Sequence, residues 1–167
     1  MMELKHIAGY LPYKLKCRYA DGLIIIMDSL PELFGEIHVG SNNSAYPLYT
    51  VKPILRPLSD LVNPCLEGGK IPIVEMAKIC VSDHNWLITD GECVGMLNGE
   101  ASYIFGYTKN GFWLTDISMN EDGSIEYTSC VIDNQLQLFE WLYQNHFDLH
   151  RLIEKNQAVD INLIEPK

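Results

Sequence analysis

Two short pairs, Asp90-Gly91 and Asn110-Gly111, constrain this chain more than anything else in it. Both central residues of a tight type I′ hairpin need positive φ, which Asn, Asp and Gly adopt at low cost. "NEDG" at 120–123 is a further turn, so the middle of the chain reads as an antiparallel meander. With Asn110-Gly111 as the loop, Lys109 faces Phe112, Thr108 faces Trp113 and Tyr107 faces Leu114. Strand alternation then puts Tyr103, Phe105, Tyr107, Phe112 and Leu114 on one face. Ile104, Trp113, Ile117 and Met119 take the other. Both faces are apolar, which predicts a sheet sandwiched between layers. Should one face stay uncovered, Tyr103, Phe105, Tyr107 and Phe112 are the candidate interaction face. A register slip of one residue would scramble this assignment.

The first third predicts a second sheet. "LPYKLKCRYADGLIIIMDSL" reads as two strands around Ala20-Asp21-Gly22. Leu15, Cys17 and Tyr19 alternate with Lys14, Lys16 and Arg18, a strand with one wet face. "LIIIM" suits a central strand buried on both sides. "GEIHVG" makes a short third strand and "GSNNSAYP" a loop. "YTVKPILRPL" is extended, and Pro53 and Pro57 assign it to a sheet edge or end. A small curled antiparallel sheet over residues 9–58 follows.

Helices fill the rest. Ser59 caps a short one that Pro64 and Gly68-Gly69 end. "IPIVEMAKIC" has Pro72 in its first turn and Ile73, Met76, Ala77 and Cys80 at helical spacing. Asn134 and Gln137 have capping-box spacing, so a helix starts near Gln135 with Leu138, Phe139, Leu142 and Tyr143 inward. Asp148 caps a second short helix that Asn156 closes, giving a C-terminal helical pair. The expected fold is α+β: one domain over 1–167, with 1–58 a small all-β sub-domain.

Charge is uneven. Residues 1–58 hold six Lys/Arg and five Asp/Glu, a net +1; residues 59–167 hold six and seventeen, a net −11, which together give −10. Such acidity repels phosphate backbones and disfavours nucleic acid as a partner. The longest aliphatic run, Leu23 to Met27, is too short to span a bilayer, and no signal-peptide core is visible. The five cysteines, at 17, 65, 80, 93 and 130, form no Cys-x-x-Cys pair. They read as buried thiols of a reducing, cytoplasmic compartment.

Chemistry is weakly signalled. His146 and His150 stand four apart, as metal ligands on one helix face would. A zincin needs Glu after the first His, and Phe147 is there instead. A third ligand would have to be Glu140, Asp148 or a distant residue. Ser82-Asp83-His84 spells a triad only as text, because triad members meet in space. Walker A, the Rossmann glycines and Gly-x-Ser-x-Gly are absent from the sequence. No cofactor or catalytic residue is therefore assigned.

"YLPYKLKCRY" at 10–19, "VKPILRPLSDL" at 51–61 and "QLFEWLYQNHFDLHRLIEKNQAVDIN" at 137–162 resemble a group of small proteins of unknown function. That group belongs to phages, prophages and mobile elements of gut bacteria of the Bacteroidales type. The resemblance implies a bacterial or phage-infected cytoplasm and carries over no catalytic residue. The expected function is a non-enzymatic, protein-binding accessory protein with an acidic C-terminal surface and a host or phage protein as partner; self-association is open. The alternative is a small metal-dependent hydrolase or nuclease using His146, His150 and an acid.

Overall fold

The structure is a computed structural model describing residues 3–27, 36–39, 44–47, 50–90, 92–108 and 110–164, with backbone alone for 4, 36–39 and 44–47. In chain order the strands begin with β1 (Leu15–Tyr19), β2 (Ile24–Met27), β3 (Glu36–Val39), β4 (Ser44–Pro47) and β5 (Val51–Leu55). Helix α1 (Pro72–Cys80) follows. Then come β6 (Asn85–Thr89), β7 (Glu92–Leu97), β8 (Glu100–Thr108), β9 (Gly111–Met119) and β10 (Ile125–Cys130). Helix α2 (Gln135–Gln144) and β11 (Val159–Asp160) complete the set. The class is α+β, as expected. The chain divides into two compact units, Met1–Leu58 with Glu140–Lys167, and Ser59–Phe139.

In the discontinuous unit, β1 and β2 pair around Ala20-Asp21-Gly22. Gly22 has φ +93°, and the Leu23 N–H donates to Asp21 Oδ1 at 2.9 Å. Leu15 and Cys17 are buried while Lys16 and Arg18 are exposed, the alternation the sequence predicts. "LIIIM" corrects an expectation: Ile25 and Met27 are buried, but Ile24 and Ile26 face solvent, because only one face of this sheet is covered.

The sheet order is β11-β5-β1-β2-β3-β4. The strands β11, β5, β1 and β2 form its body, and the β3–β4 hairpin joins through Met27↔Val39. The order is open and mixed, not the curled antiparallel sheet expected, since β11 adds parallel to β5. Three local readings change with it. Ser44–Pro47 is a strand where a loop was expected, and residues 40–43 lie outside the described residues. Residues 9–13 belong to a 3-10 helix, Ala8–Tyr13, and Lys14 at φ +57° turns the chain into β1. The β5 strand is internal despite Pro53, because its two neighbours engage different stretches: β1 pairs with 51–53 and β11 with 54–55.

The C-terminal segment completes this unit, so residues 1–58 do not close a core alone. Leu152 and Ala158 pack with Ile7, Tyr10, Leu15 and Met27. Tyr10 Oη donates to the Phe147 carbonyl at 2.7 Å and accepts the Leu149 N–H at 3.1 Å. Arg56 bridges Phe147 through Arg56 N–H to His146 O and Asp148 N–H to Arg56 O, both 2.8 Å. The buried Asp148 carboxylate accepts the Leu152 and Ile153 N–H groups, also at 2.8 Å. Asp148 thus holds a turn, not the second helix of the expected pair. Arg151 and Asn156, at φ +54° and +55°, are left-handed and interrupt helical winding there. Gly9 lies under the Tyr143 ring: a β-carbon on it would stand 2.6 Å from Tyr143 Cε1.

In the continuous unit, α1 starts at Pro72 and buries Ile73, Met76 and Ala77. The five-stranded meander runs β10-β9-β8-β7-β6. Thr89↔Glu92 closes the first hairpin over Asp90-Gly91, with Asp90 at φ +52°; Gly91 itself lies outside the described residues. Asn98-Gly99, between Leu97 and Glu100, turns β7 into β8 with φ +53° and +89°. The β8–β9 pairing closes at Thr108↔Gly111, so Tyr107 faces Phe112 where Leu114 was expected; Lys109, expected opposite Phe112, lies outside the described residues. Moving a two-residue loop by one position changes every partner by two. The division into faces therefore survives.

One face is packed. Phe105 is 1% exposed and Phe112 and Leu114 are buried. Phe105 and Phe112 stack at 5.9 Å, and Phe139 of α2 meets Phe112 at 5.2 Å. Cys93 Sγ approaches the Ile73 carbonyl at 3.8 Å, and Asn134 Nδ2 donates to the Ile79 carbonyl at 2.6 Å, tying the start of α2 to the end of α1. Trp86 lies on Gly95, its cross-strand partner, and donates from Nε1 to the Val81 carbonyl at 2.9 Å.

Candidate functional site

The other face of the meander is the candidate site. Register defines it. Leu87↔Val94, Val94↔Ile104 and Ile104↔Thr115 make one row across four strands. Gly106↔Trp113 flanks that row on one side. On the other lie the pairs Ile117↔Tyr127 and Met119↔Ile125. Met119 is 75% exposed, Tyr127 62%, Ile125 56% and Trp113 38%. Gly106 explains how Trp113 lies there: a β-carbon on Gly106 would meet the indole Nε1 at 2.7 Å, so only glycine lets the ring rest on the strand.

The β9–β10 end is inverted relative to an ordinary half-buried hairpin. Its apolar residues, Ile117, Met119, Ile125 and Tyr127, project to the open side. Asp116, Ser118, Glu126 and Thr128 take the side on which the core lies. An amphipathic strand normally turns its apolar set inward. Here that set is outside, and contiguous exposed apolar surface of this kind marks an interaction site. Acids border it at both ends. Asp90 and Glu92 lie at the β6–β7 turn, and Glu100, Glu121 and Asp122 at the opposite turns. Residues 59–139 hold twelve Asp/Glu against three Lys/Arg, a net −9.

This arrangement corrects the expected interaction face. Phe105 and Phe112 are core, and Tyr103 and Tyr107 are half-buried beside them. The sandwich is also not formed, since α1 and the first part of α2 cover one side only. Apolar burial decides between the two faces: the side carrying the large Phe rings removes more area from water.

The histidine candidates are held apart by separate partners. His146 follows the end of α2 at φ +57° and bonds through Nε2 to the Tyr13 carbonyl at 3.0 Å. His150 Nε2 meets Tyr143 Oη at 3.5 Å, and its ring lies 5.5 Å from that of His6. Burial holds both pKa values below the ordinary histidine value; for His150 the nearby His6 adds to it. Glu140 is exposed. Among the described residues no three His, Cys, Asp or Glu side chains gather as a ligand set.

The Ser82-Asp83-His84 text also separates in space. Ser82 Oγ donates to Asp83 Oδ1 at 3.0 Å, while the His84 ring turns edge-on to Tyr103 at 5.0 Å. All five cysteines are free thiols, Cys17 and Cys93 buried and the other three half-buried. Burial pushes Cys17 and Cys93 up to about 12 and Cys80 to about 11, which suppresses the thiolate that nucleophilic chemistry needs. Among the described residues no helix is long and apolar enough to cross a membrane. The chain matches no family model, no curated protein and no solved structure.

Proposed function

We propose that this chain is a non-enzymatic accessory protein that binds another protein through the open face of its meander. The supporting observation is the outward placement of Ile117, Met119, Ile125 and Tyr127 on a sheet whose opposite side already holds the core. The partner is a protein segment that is apolar on one side and basic around it. Acids at both ends of the face and a net −9 on the unit favour cations and disfavour a second copy of the same face. The segments at 10–19, 51–61 and 137–162 support an origin in phages or mobile elements of gut bacteria and work in their hosts' cytoplasm.

The test is capture from host lysate by the wild-type protein and by a Met119→Ser/Tyr127→Ser variant, read by mass spectrometry at low and high salt. A stoichiometric basic partner held by wild type, lost from the variant and released by salt is expected. Identical capture by both proteins would sink the proposal. Concentration-dependent dimerisation lost in the variant would replace the foreign partner with a second copy.

A further inference from the structure

A cavity of about 720 Å³ lies in the discontinuous unit, where residues 18–20 at the end of β1 and residues 50 and 52 at the start of β5 meet the segment from Ile153 to Leu163. Its volume falls in the range of small-molecule sites, about 300–1,000 Å³. The charges inside it are unexpected. Arg18 and Lys52 are direct cross-strand partners, and like charges so placed destabilise a strand pair. Among the described residues the Arg18 side chain makes no ion pair or hydrogen bond. Lys52 donates to Asn156 Oδ1 at 2.7 Å, which leaves its other N–H groups and the Asn156 Nδ2 donor uncommitted. Asn156 is held left-handed at φ +55°, fixing that amide at the cavity wall.

The remaining wall is of a different kind. Tyr19 and Leu163 supply apolar surface. Asp160 accepts the Asn162 N–H through Oδ1 at 2.9 Å, and its second oxygen has no described partner. One side of the cavity therefore gathers donors with two positive charges, and the rest offers an apolar wall and one acceptor.

We propose that this cavity binds a small phosphorylated organic molecule. Its phosphate sits between Arg18 and Lys52 and takes a third hydrogen bond from Asn156 Nδ2. Its body lies against Tyr19 and Leu163, with a hydroxyl or amino group donating to Asp160. A phosphate monoester matches the pair better than a carboxylate does, because two cations on neighbouring strands call for a dianion with several acceptor oxygens. Bound there, it converts an unfavourable Arg18–Lys52 juxtaposition into a clamp.

The test is a side-chain nitrogen–proton NMR titration of the full chain with inorganic phosphate, phenyl phosphate and adenosine monophosphate. The Arg18 Nε–H and Asn156 Nδ2 resonances are expected to shift saturably, with the organic phosphates about tenfold or more tighter than inorganic phosphate. Arg18→Gln and Lys52→Gln should each weaken binding about tenfold or more while leaving the backbone spectrum unchanged, since both side chains lie at the surface. No shift with any of the three probes at about 10 mM would overturn the proposal, as would unaltered affinity in Arg18→Gln. Equal affinity for inorganic phosphate and adenosine monophosphate would overturn the claim that the cavity takes an organic body.

Discussion

The two units solve the same problem by opposite means. The continuous unit is local: four successive hairpins build its sheet, and every strand pairs with its neighbour in sequence. The discontinuous unit is closed from afar, with β11 docking on β5 and Tyr10, Arg56 and Asp148 joining segments at opposite ends of the chain. Charge divides along the same line. The continuous unit carries −9, whereas nine bases nearly balance ten acids in the other, leaving −1. A local meander leaves one broad face open, with acids at both of its ends. A sheet assembled from distant segments instead encloses a cavity where they meet.

The sharpest way to break this comparison is from inside the meander. Phe105→Ala is expected to cost about 3–5 kcal/mol by opening a cavity against Phe112, and native-state hydrogen exchange should lose protection first in β7–β9. In the other unit the equivalent blow falls on a hydrogen-bond network. Asp148→Ala strands the Leu152 and Ile153 N–H groups and should cost about 3 kcal/mol, read as early exchange of residues 149–158.

A smaller effect comes from pH. His146 and His150 have folded pKa values below the unfolded value of 6.5, so the unfolded chain binds more protons between those two limits. Their contribution is complete above pH 6.5 and is lost as pH falls through the folded values. Protection factors of amides around Tyr13 and Tyr143, taken relative to intrinsic exchange at each pH, should fall as pH drops through that window, and a His146→Asn/His150→Gln double variant should flatten the response. Smallest of all, Tyr127→Thr should change stability by no more than about 0.5 kcal/mol in chemical denaturation, although the same residue belongs to the proposed binding face. A large loss would mean that Tyr127 is structural.

The meander was legible because its evidence is local. The chain turns between Thr89 and Glu92 and over residues 120–123 where the sequence places turns, and Asn98-Gly99 is an equally plain local signal. The Asn110-Gly111 loop is displaced by one residue because Gly111, at φ +113°, serves as the first residue of β9. Sequence alternation sorted the two faces but not which one is covered, since that depends on where α1 and α2 lie. Long-range features were less accessible. No local pattern announces that Val159–Asp160 will extend β5, or that Arg18 will stand opposite Lys52; both are consequences of register between distant strands. The second C-terminal helix had the right cap in Asp148, but left-handed Arg151 diverts the chain, and no residue preference at an arginine foretells that.

The parallel docking of β11 on β5 also sets an order of events during synthesis. Residues 51–55 leave the ribosome roughly 5–20 s before 159–160, at about 5–20 residues per second. During that interval the whole meander is available to form, whereas the earlier sheet lacks both its last strand and the segment that fills its core. Over that interval the N-terminal sheet keeps an unfinished edge at β5, while every strand of the meander, made after it, already has its partner in hand.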